Sequence, residues 1–535
     1  MNRRDFLGYS ALGALVLSTA GGMGFALSRQ HPHSAAPAML TALPEGGQAL
    51  QPLPRIVNLS DAAGHFQSAL TPAPHAVPLN DELEARLWLY NGKVLPLIEV
   101  REGDELDVTL FNELSHETTV HWHGVPVPPA QDGAPWDAVA PGESRQYRYT
   151  LPEGSAGLHW FHPHPHHGTA RQIAHGLAGA LLVRPAQDVL PAEVEEHLLM
   201  VSDLRLDVEG EVAAHTAEDW MNGREGELLL VNGQREPRLD VAPGTTLRLR
   251  LVNACAGRYL RLRLDAHELT LIGTDGGLIG RPRPLEELLL TPGERADLLV
   301  RVSERADERF LLASYPYERG WMGARPPHLD DVLPLLSINT LNAGVYPAVA
   351  LPERLGRVEP LGEPDVRRRV EFSEVMPGHD DHGEGHADPH AEHGGGSDSH
   401  HHTHGPGASH AAHGAGQDGD ARPEVDFLIN GRAFAMDEVL FEGRAGEVEE
   451  WEVFNNSHMD HPFHVHGTHF QVIATRDADD EWREAPWLAW KDTVNLAPYQ
   501  RLKLRMVFRE PGDWLFHCHI IEHEELGMMA TIRVN

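Results

Sequence analysis

Three stretches of this 535-residue sequence repeat one pattern, and the repetition restricts the fold more than any other feature. "YNGKVLPLIEVREGDELDVTLFNEL" begins at Tyr90, "VNGQREPRLDVAPGTTLRLRLVNAC" at Val231 and "INGRAFAMDEVLFEGRAGEVEEWEVFNNS" at Ile429. Each runs from an Asn-Gly turn through a Pro or acidic link and a Gly-containing turn. Each then continues as alternating apolar residues that end on asparagine. Alternation such as "LRLRLVN" marks half-buried strands, because successive side chains of a strand point to opposite faces. Asn-Gly and Pro-Gly supply the turns. A unit repeated three times, with few helical patterns between copies, predicts three Greek-key β-sandwiches in series. The length also requires several domains.

The copies are unevenly spaced. Asn91 precedes Asn232 by 141 residues, whereas Asn232 precedes Asn430 by 198. Most of the excess is one insertion, residues 376–423, with eleven histidines, many Gly and Asp, and almost nothing that could build a core. It is expected to be mobile on its own. The N-terminus, "MNRRDFLGYSALGALVLSTAGGMGFALS", places Arg3 and Arg4 before Phe6, Leu7 and an apolar, glycine-rich run. That pattern resembles a twin-arginine export signal, with cleavage expected after Ala38. A net charge of −35 argues against nucleic acid or an anionic membrane as partner. Two cysteines, Cys255 and Cys518, cannot build a disulfide framework.

Counting from the asparagine that ends each repeat aligns the histidines. Offsets of nine and eleven give His121 and His123 after Asn112, and His464 and His466 after Asn455. After Asn253 the same offsets give Leu262 and Leu264, so the middle unit is blank. A second pair follows in each ligand-bearing unit: His162 and His164, then His517 and His519. Residues i and i+2 of a strand share a face, so each pair offers two imidazoles on one side. Four pairs could converge about a pseudo-twofold axis. Imidazole suits copper, zinc, iron and nickel alike. Cys518 makes the choice. Between His517 and His519 on an extended strand, its thiolate points the opposite way, where His461, His523 and Met528 are available to complete the set. Two imidazoles, a thiolate and a thioether form a blue-copper electron-transfer site. Cys255 is expected to be a buried thiol.

With "HWHG", "WFHPH", "HPFHVHG" and "HCHIIEHEELGM" in place, the sequence from about residue 50 onward resembles the three-domain, laccase-like multicopper oxidases, including the bacterial cuprous oxidases. The resemblance implies an all-β chain of three consecutive cupredoxin-like Greek-key β-sandwich domains. Behind a signal at 1–38 these span 45–186, 187–352 (without copper ligands) and 353–535, the last carrying the insertion 376–423. It implies four coppers per chain. His461, Cys518, His523 and Met528 would hold type 1, and His121 and His464 type 2. His123, His162 and His519 would hold one type 3 ion, and His164, His466 and His517 the other. Asp132 and Glu524 would deliver protons, and electrons would enter through the exposed edge of a ligand such as His523.

The implied reaction couples four one-electron oxidations to reduction of dioxygen to water. The reductant would be a phenol, an aromatic amine or a low-valent metal ion such as Cu(I), and the protein an exported, periplasmic monomer. A copper-tolerance protein whose histidine-rich loop sequesters metal is the alternative. Cell-division scaffolds of the same fold lack copper ligands, whereas all twelve expected ligands are present here. Two features depart from the cuprous oxidases. The insertion is rich in histidine where theirs is rich in methionine, and Ser457 stands where they carry aspartate, although Met459 matches. The loop is expected to bind metal ions and to shield or feed the type 1 site. Asp492 in "KDTV" is expected to help support the C-terminal copper domain.

Overall fold

The computed structural model describes residues 44–80, 83–376, 422–478 and 480–535. The expected export signal and nearly all of the histidine-rich insertion lie outside the described residues. Among the described residues no helix is long and apolar enough to cross a membrane.

The repetition in the sequence is reproduced in the sheets. A six-stranded sheet in the middle of the chain runs in the order Leu228–Val231, Glu195–Leu204, Thr246–Asn253, Arg295–Arg301, Leu269–Thr274, Gly277–Leu285. Its counterpart near the C-terminus runs Asp426–Ile429, Val366–Val375, Glu449–Asn456, Arg501–Met506, Phe470–Arg476, Arg483–Glu484. Strand for strand, the order along the chain is the same. The facing five-stranded sheets also correspond: Arg238–Val241, Leu333–Thr340, Arg309–Tyr315, Leu260–Leu264, Leu288–Leu290 against Phe441–Gly443, Met529–Val534, Gly512–Cys518, His461–Val465, Thr493–Leu496. The N-terminal unit builds smaller sheets, among them one of three strands in the order Leu97–Arg101, Gly179–Arg184, Gly157–Phe161. A separate apolar core fills the middle sandwich, centred on Leu249, Leu262 and Leu298. Another fills the third, centred on Trp451, Phe463 and Phe516. Three cupredoxin-type domains result, as expected.

One expectation differs in detail. The strand Thr246–Asn253, read as half-buried, is buried on both faces. Its arginines face acidic neighbours across the sheet: Arg250 lies 3.0 Å from Asp297 and 3.3 Å from Glu196. Alternation correctly separated two faces, but the charged face is satisfied by ion pairs and not by water.

The asparagine that ends each repeat has one structural duty in all three domains. Asn112, Asn253 and Asn455 are almost completely buried. The Asn112 amide donates to the carbonyls of His116 (2.7 Å) and Val139 (2.8 Å). That of Asn253 donates to Arg258 and Leu290 (both 2.9 Å), and that of Asn455 to Met459 (2.7 Å) and Leu496 (3.0 Å). Each amide thus pins the corner between one sheet and the strand that follows. In the outer domains that next segment carries the first His-x-His pair, so the clamp sets where the pair begins. Replacing Asn253 by Ala would leave two buried carbonyls without donors, a loss of about 1–3 kcal/mol. The middle domain's chemical-denaturation midpoint should fall accordingly; an unchanged midpoint would refute the clamp.

Candidate metal centre

The strand Gly512–Cys518 pairs with His461–Val465 on one side and Met529–Val534 on the other. Its register sets His517 opposite His464 and Cys518 opposite Phe463. On the cysteine face, Cys518 Sγ lies 3.4 Å from His461 Nδ1 and 3.9 Å from His523 Nδ1, and the two nitrogens are 3.2 Å apart. All three residues are fully buried, as is Met528, whose backbone carbonyl accepts from the Cys518 N–H at 3.0 Å. His523 reaches the site on the short helix Ile521–Glu525, which packs against the helices Thr169–Ala174 and Ala217–Asn222.

On the opposite face, eight histidines from two domains meet. In the first domain, His121 and His162 exchange backbone hydrogen bonds, 2.8 and 3.2 Å. Across the domain boundary, His121 stacks on His466 with ring centroids 3.8 Å apart, and His123 on His464 at 3.9 Å. His517 Nε2 lies 3.1 Å from His466 Nε2 and 3.4 Å from His164 Nε2. His519 stands 5.0 Å from the His123 ring and 5.7 Å from that of His162. The ligand-capable atoms gather in overlapping buried triads: His121, His123 and His162; His121, His464 and His466; His164, His466 and His517; and, on the other face, His461, Cys518 and His523.

Whether these rings suit a metal is decided by what holds the far nitrogen of each. His121 Nδ1 lies 3.0 Å from the Asp132 carbonyl, His162 Nδ1 3.0 Å from that of Pro163, and His517 Nδ1 3.0 Å from that of Cys518. His464 Nδ1 is 2.9 Å from the Asp492 carbonyl. His466 Nδ1 is 2.7 Å from the Asp132 carboxylate, and His123 Nε2 3.2 Å from that of Asp492. Carbonyls and carboxylates only accept, so each of these nitrogens carries the proton and the other keeps its lone pair. Those lone pairs point inward. His121 Nε2, His123 Nδ1, His162 Nε2 and His464 Nε2 are buried and have no hydrogen-bond partner. On the cysteine face, His523 Nε2 is 3.1 Å from the Met221 carbonyl and His461 Nε2 2.9 Å from Ser457 Oγ, leaving both Nδ1 atoms toward the sulfur. Orphaned lone pairs backed by acceptors form the outer shell that orients metal-ligating histidines. The donor set fits copper.

Burial favours the uncharged form of seven of the eight paired histidines. Desolvation lowers His466 to about 3 and His461 to about 4, and holds His162, His164 and His517 well below the ordinary histidine value. The same desolvation raises the Cys518 thiol. A metal taking the thiolate must therefore displace a proton. Two nearby carboxyls diverge. Burial raises Asp132, but His466 and His121 more than offset it, and the carboxyl falls below its usual range. Burial, reinforced by Glu525 and Glu522, drives Glu524 well above its usual range. Glu524 stands 3.6 Å from both His164 Nδ1 and His517 Nδ1.

Residues 73–188, 195–332 and 406–535 each match a family model described as multicopper oxidase. The chain belongs to the multicopper oxidase family. A solved multicopper oxidase from Campylobacter jejuni, titled a metallo-oxidase, is 36% identical, with a TM-score of 0.79, over 93% of this chain and 98% of that one. The multicopper oxidase of Staphylococcus aureus is 26% identical over 461 residues, 83% of each chain. The laccase of Bacillus subtilis is 25% identical over 84% of this chain and 90% of its own. This protein is thus an oxidoreductase that uses copper, dioxygen and a reducing substrate.

All twelve expected ligand residues of the oxidase are buried in its interior. Seven of the eight paired histidines share these triads and His519 packs against His123 and His464, while His461, Cys518 and His523 converge on the other face of the strand. One expectation fails. His523 has no exposed edge. The helix Ala217–Asn222, fixed at its start by a Thr216–Asp219 capping box, aims a last-turn carbonyl at His523 Nε2. Such carbonyls have no partner within the helix. Nothing in the sequence around Met221 pointed to this. Cys255 is buried, as expected. In the copper-loaded protein, Cys518→Ser should abolish the blue absorption and remove about one copper per chain, with circular dichroism unchanged. A retained blue band would exclude Cys518 as a ligand.

Proposed function

We propose that the protein oxidises a low-valent transition-metal cation at Glu374 and reduces dioxygen at the histidine cluster. One observation carries the choice of substrate. Glu374 Oε2 is buried without a hydrogen-bond partner, 3.9 Å from His461 Nε2. Its other oxygen is paired at 2.5 Å with His458, which is about half exposed. A carboxylate and an imidazole thus lead from the surface to the back of His461, where a small cation would sit one residue from the cysteine site. The closed edge of His523 gives an aromatic ring no comparable contact. Ser457 touches His461 as well, so the carboxylate that cuprous oxidases carry at that position is supplied here by Glu374, from the strand Val366–Val375. The large negative charge of the chain favours approach of cations. The relative from Campylobacter jejuni, described as a metallo-oxidase, points the same way.

In this reading His461, Cys518, His523 and Met528 hold type 1 copper, and His121 and His464 type 2. His123, His162 and His519 hold one type 3 ion, and His164, His466 and His517 the other. Copper supplies the one-electron chemistry and the four-electron reduction of dioxygen, with four protons, to two waters. The protein's own groups do the rest. Glu374 and His458 bind the cation, and the backbone from Cys518 to its two histidine neighbours joins the sites. Asp132, ionised, fixes the tautomers of His466 and His121. Glu524, pushed toward its protonated form by burial and beside His164 and His517, gives up protons. Opposite carboxyl shifts in one site separate acid from base. The domains divide at 186/187 and 352/353, with residues 1–38 exporting a monomer to the periplasm through the twin-arginine route.

Oxygen uptake tests both roles. Glu374→Gln should raise KM for Cu(I) or Fe(II) roughly tenfold or more, the scale of one charge-assisted contact, and leave oxidation of a phenol unchanged. Equal losses with metal and phenol would overturn the substrate reading in favour of a laccase. Glu524→Gln should lower kcat by roughly 100-fold or more with every reductant, while the blue band still bleaches at the wild-type rate under anaerobic substrate. Unchanged kcat would remove Glu524 from proton delivery.

A further inference from the structure

The middle domain carries none of the expected copper ligands, yet it reaches the histidine cluster. Arg295, at the start of the strand Arg295–Arg301, is completely buried. Its Nη1 and Nη2 each lie 2.6 Å from one oxygen of Asp492 in the third domain. Its Nε donates to the carbonyl of Leu158 in the first domain at 3.2 Å, and Nη2 also donates to the Asp275 carbonyl at 3.1 Å. One guanidinium therefore ties together three domains. Gly124, immediately after the "HWH" pair, has φ +87°, and a Cβ there would fall on Arg295 Nη2. The first domain has been kept clear of side chain where the arginine passes.

Asp492 is the other half of the device. Its Oδ1 accepts from Thr493 Oγ1 at 2.8 Å and faces His123 Nε2 at 3.2 Å. Its carbonyl accepts from His464 Nδ1 at 2.9 Å. His123 and His464 are one of the two pairs that stack across the domain boundary. A single aspartate thus sets the tautomer of one ring from each outer domain, and its own orientation is set by the two-pronged hold of Arg295. An isolated buried carboxylate would be costly, and a free one would rotate.

We propose that Arg295 and Asp492 form a positioning couple through which the middle domain orients His123 and His464 for copper. This rests on the ligand set given above. The bland competitor is an interdomain staple, for which the structure offers a control. Lys491 Nζ, adjacent in sequence, pairs with Asp275 at 3.1 Å and Glu294 at 2.8 Å across the same boundary, and neither the lysine nor these contacts involve the cluster histidines.

The test is copper retention by holoprotein titrated with a chelator, read as the type 2 electron-paramagnetic-resonance signal against the blue type 1 band. Asp492→Asn and Arg295→Met should each weaken cluster copper by roughly 10–100-fold with the type 1 band unmoved. The double variant should be little worse than either single, because the arginine acts through the aspartate. Arg295→Lys, which keeps the charge and loses the fork, should fall between, and it decides the matter where Arg295→Met does not fold. Lys491→Met should lower thermal stability and leave cluster copper in place. Wild-type retention in Asp492→Asn, Arg295→Met and Arg295→Lys, or equal copper loss in Lys491→Met, overturns the proposal. His464→Ala separates the two levels. If it also keeps all cluster copper, the ligand set is wrong; if it alone loses copper, only the positioning couple is.

Discussion

The whole design depends on the period-two alternation of one strand held in register on both sides. Gly512–Cys518 lies between two partners, so its twist and register are fixed by hydrogen bonds along both edges. Cys518 therefore faces His461 and His523 while His517, one residue earlier, faces His464 across the ladder. A slip by one residue would put the thiol among the imidazoles and an imidazole at the lone site. What prevents it is the core, not the metal. Trp514, Phe516 and Cys518 share the buried cluster of the third domain with Phe463 and Trp451, and their aromatic volume fits only one register.

Burying eight imidazoles and a thiol raises the question of why the fold tolerates them. Desolvation favours the uncharged form of seven of the eight rings and also raises the cysteine. Six cluster rings then satisfy one nitrogen on the protein and leave the other facing its neighbours. Unpartnered buried nitrogens cost stability. The interior is thus under-satisfied in the one direction that a cation would complete, so metal binding and folding are linked. The thiol adds pH dependence of the same sign: its proton must leave before it can ligate, so loading is easier as pH rises.

How much of this was legible in the sequence follows from how each feature is encoded. The sandwiches and the histidine pairs were readable because both depend on local periodicity and on an asparagine that recurs for a physical reason. That buried clamp is why counting from Asn112 and Asn455 aligned the pairs. Contacts between domains left no such trace. Glu374 sits in an ordinary alternating strand, and Met221 acts through its carbonyl, so its side chain says nothing. The expected open edge of His523 failed on that carbonyl. Arg295 occupies the strand start at which the third domain has Arg501, and Arg501 pairs with Glu452 at a partly exposed position. The same residue type at the same place is unremarkable in one copy and completely buried in the other.

The blank middle domain then ceases to be a spacer. It reaches the surroundings of both candidate metal sites through groups that never show in a ligand motif. Met221 closes the back of His523, His215 lies 3.1 Å from Glu522 on the same short helix, and the Arg319 carbonyl accepts from Asp460 just before His461. Arg295 and Asp275 stand behind the histidine cluster. A repeat without ligands of its own can still supply hydrogen bonds that orient the ligands of its neighbours. Orientation requires stiffness more than metal affinity. A fully packed domain with ion-paired strands, such as Thr246–Asn253 against Asp297, provides a wall of that kind, and a mobile linker in its place could not.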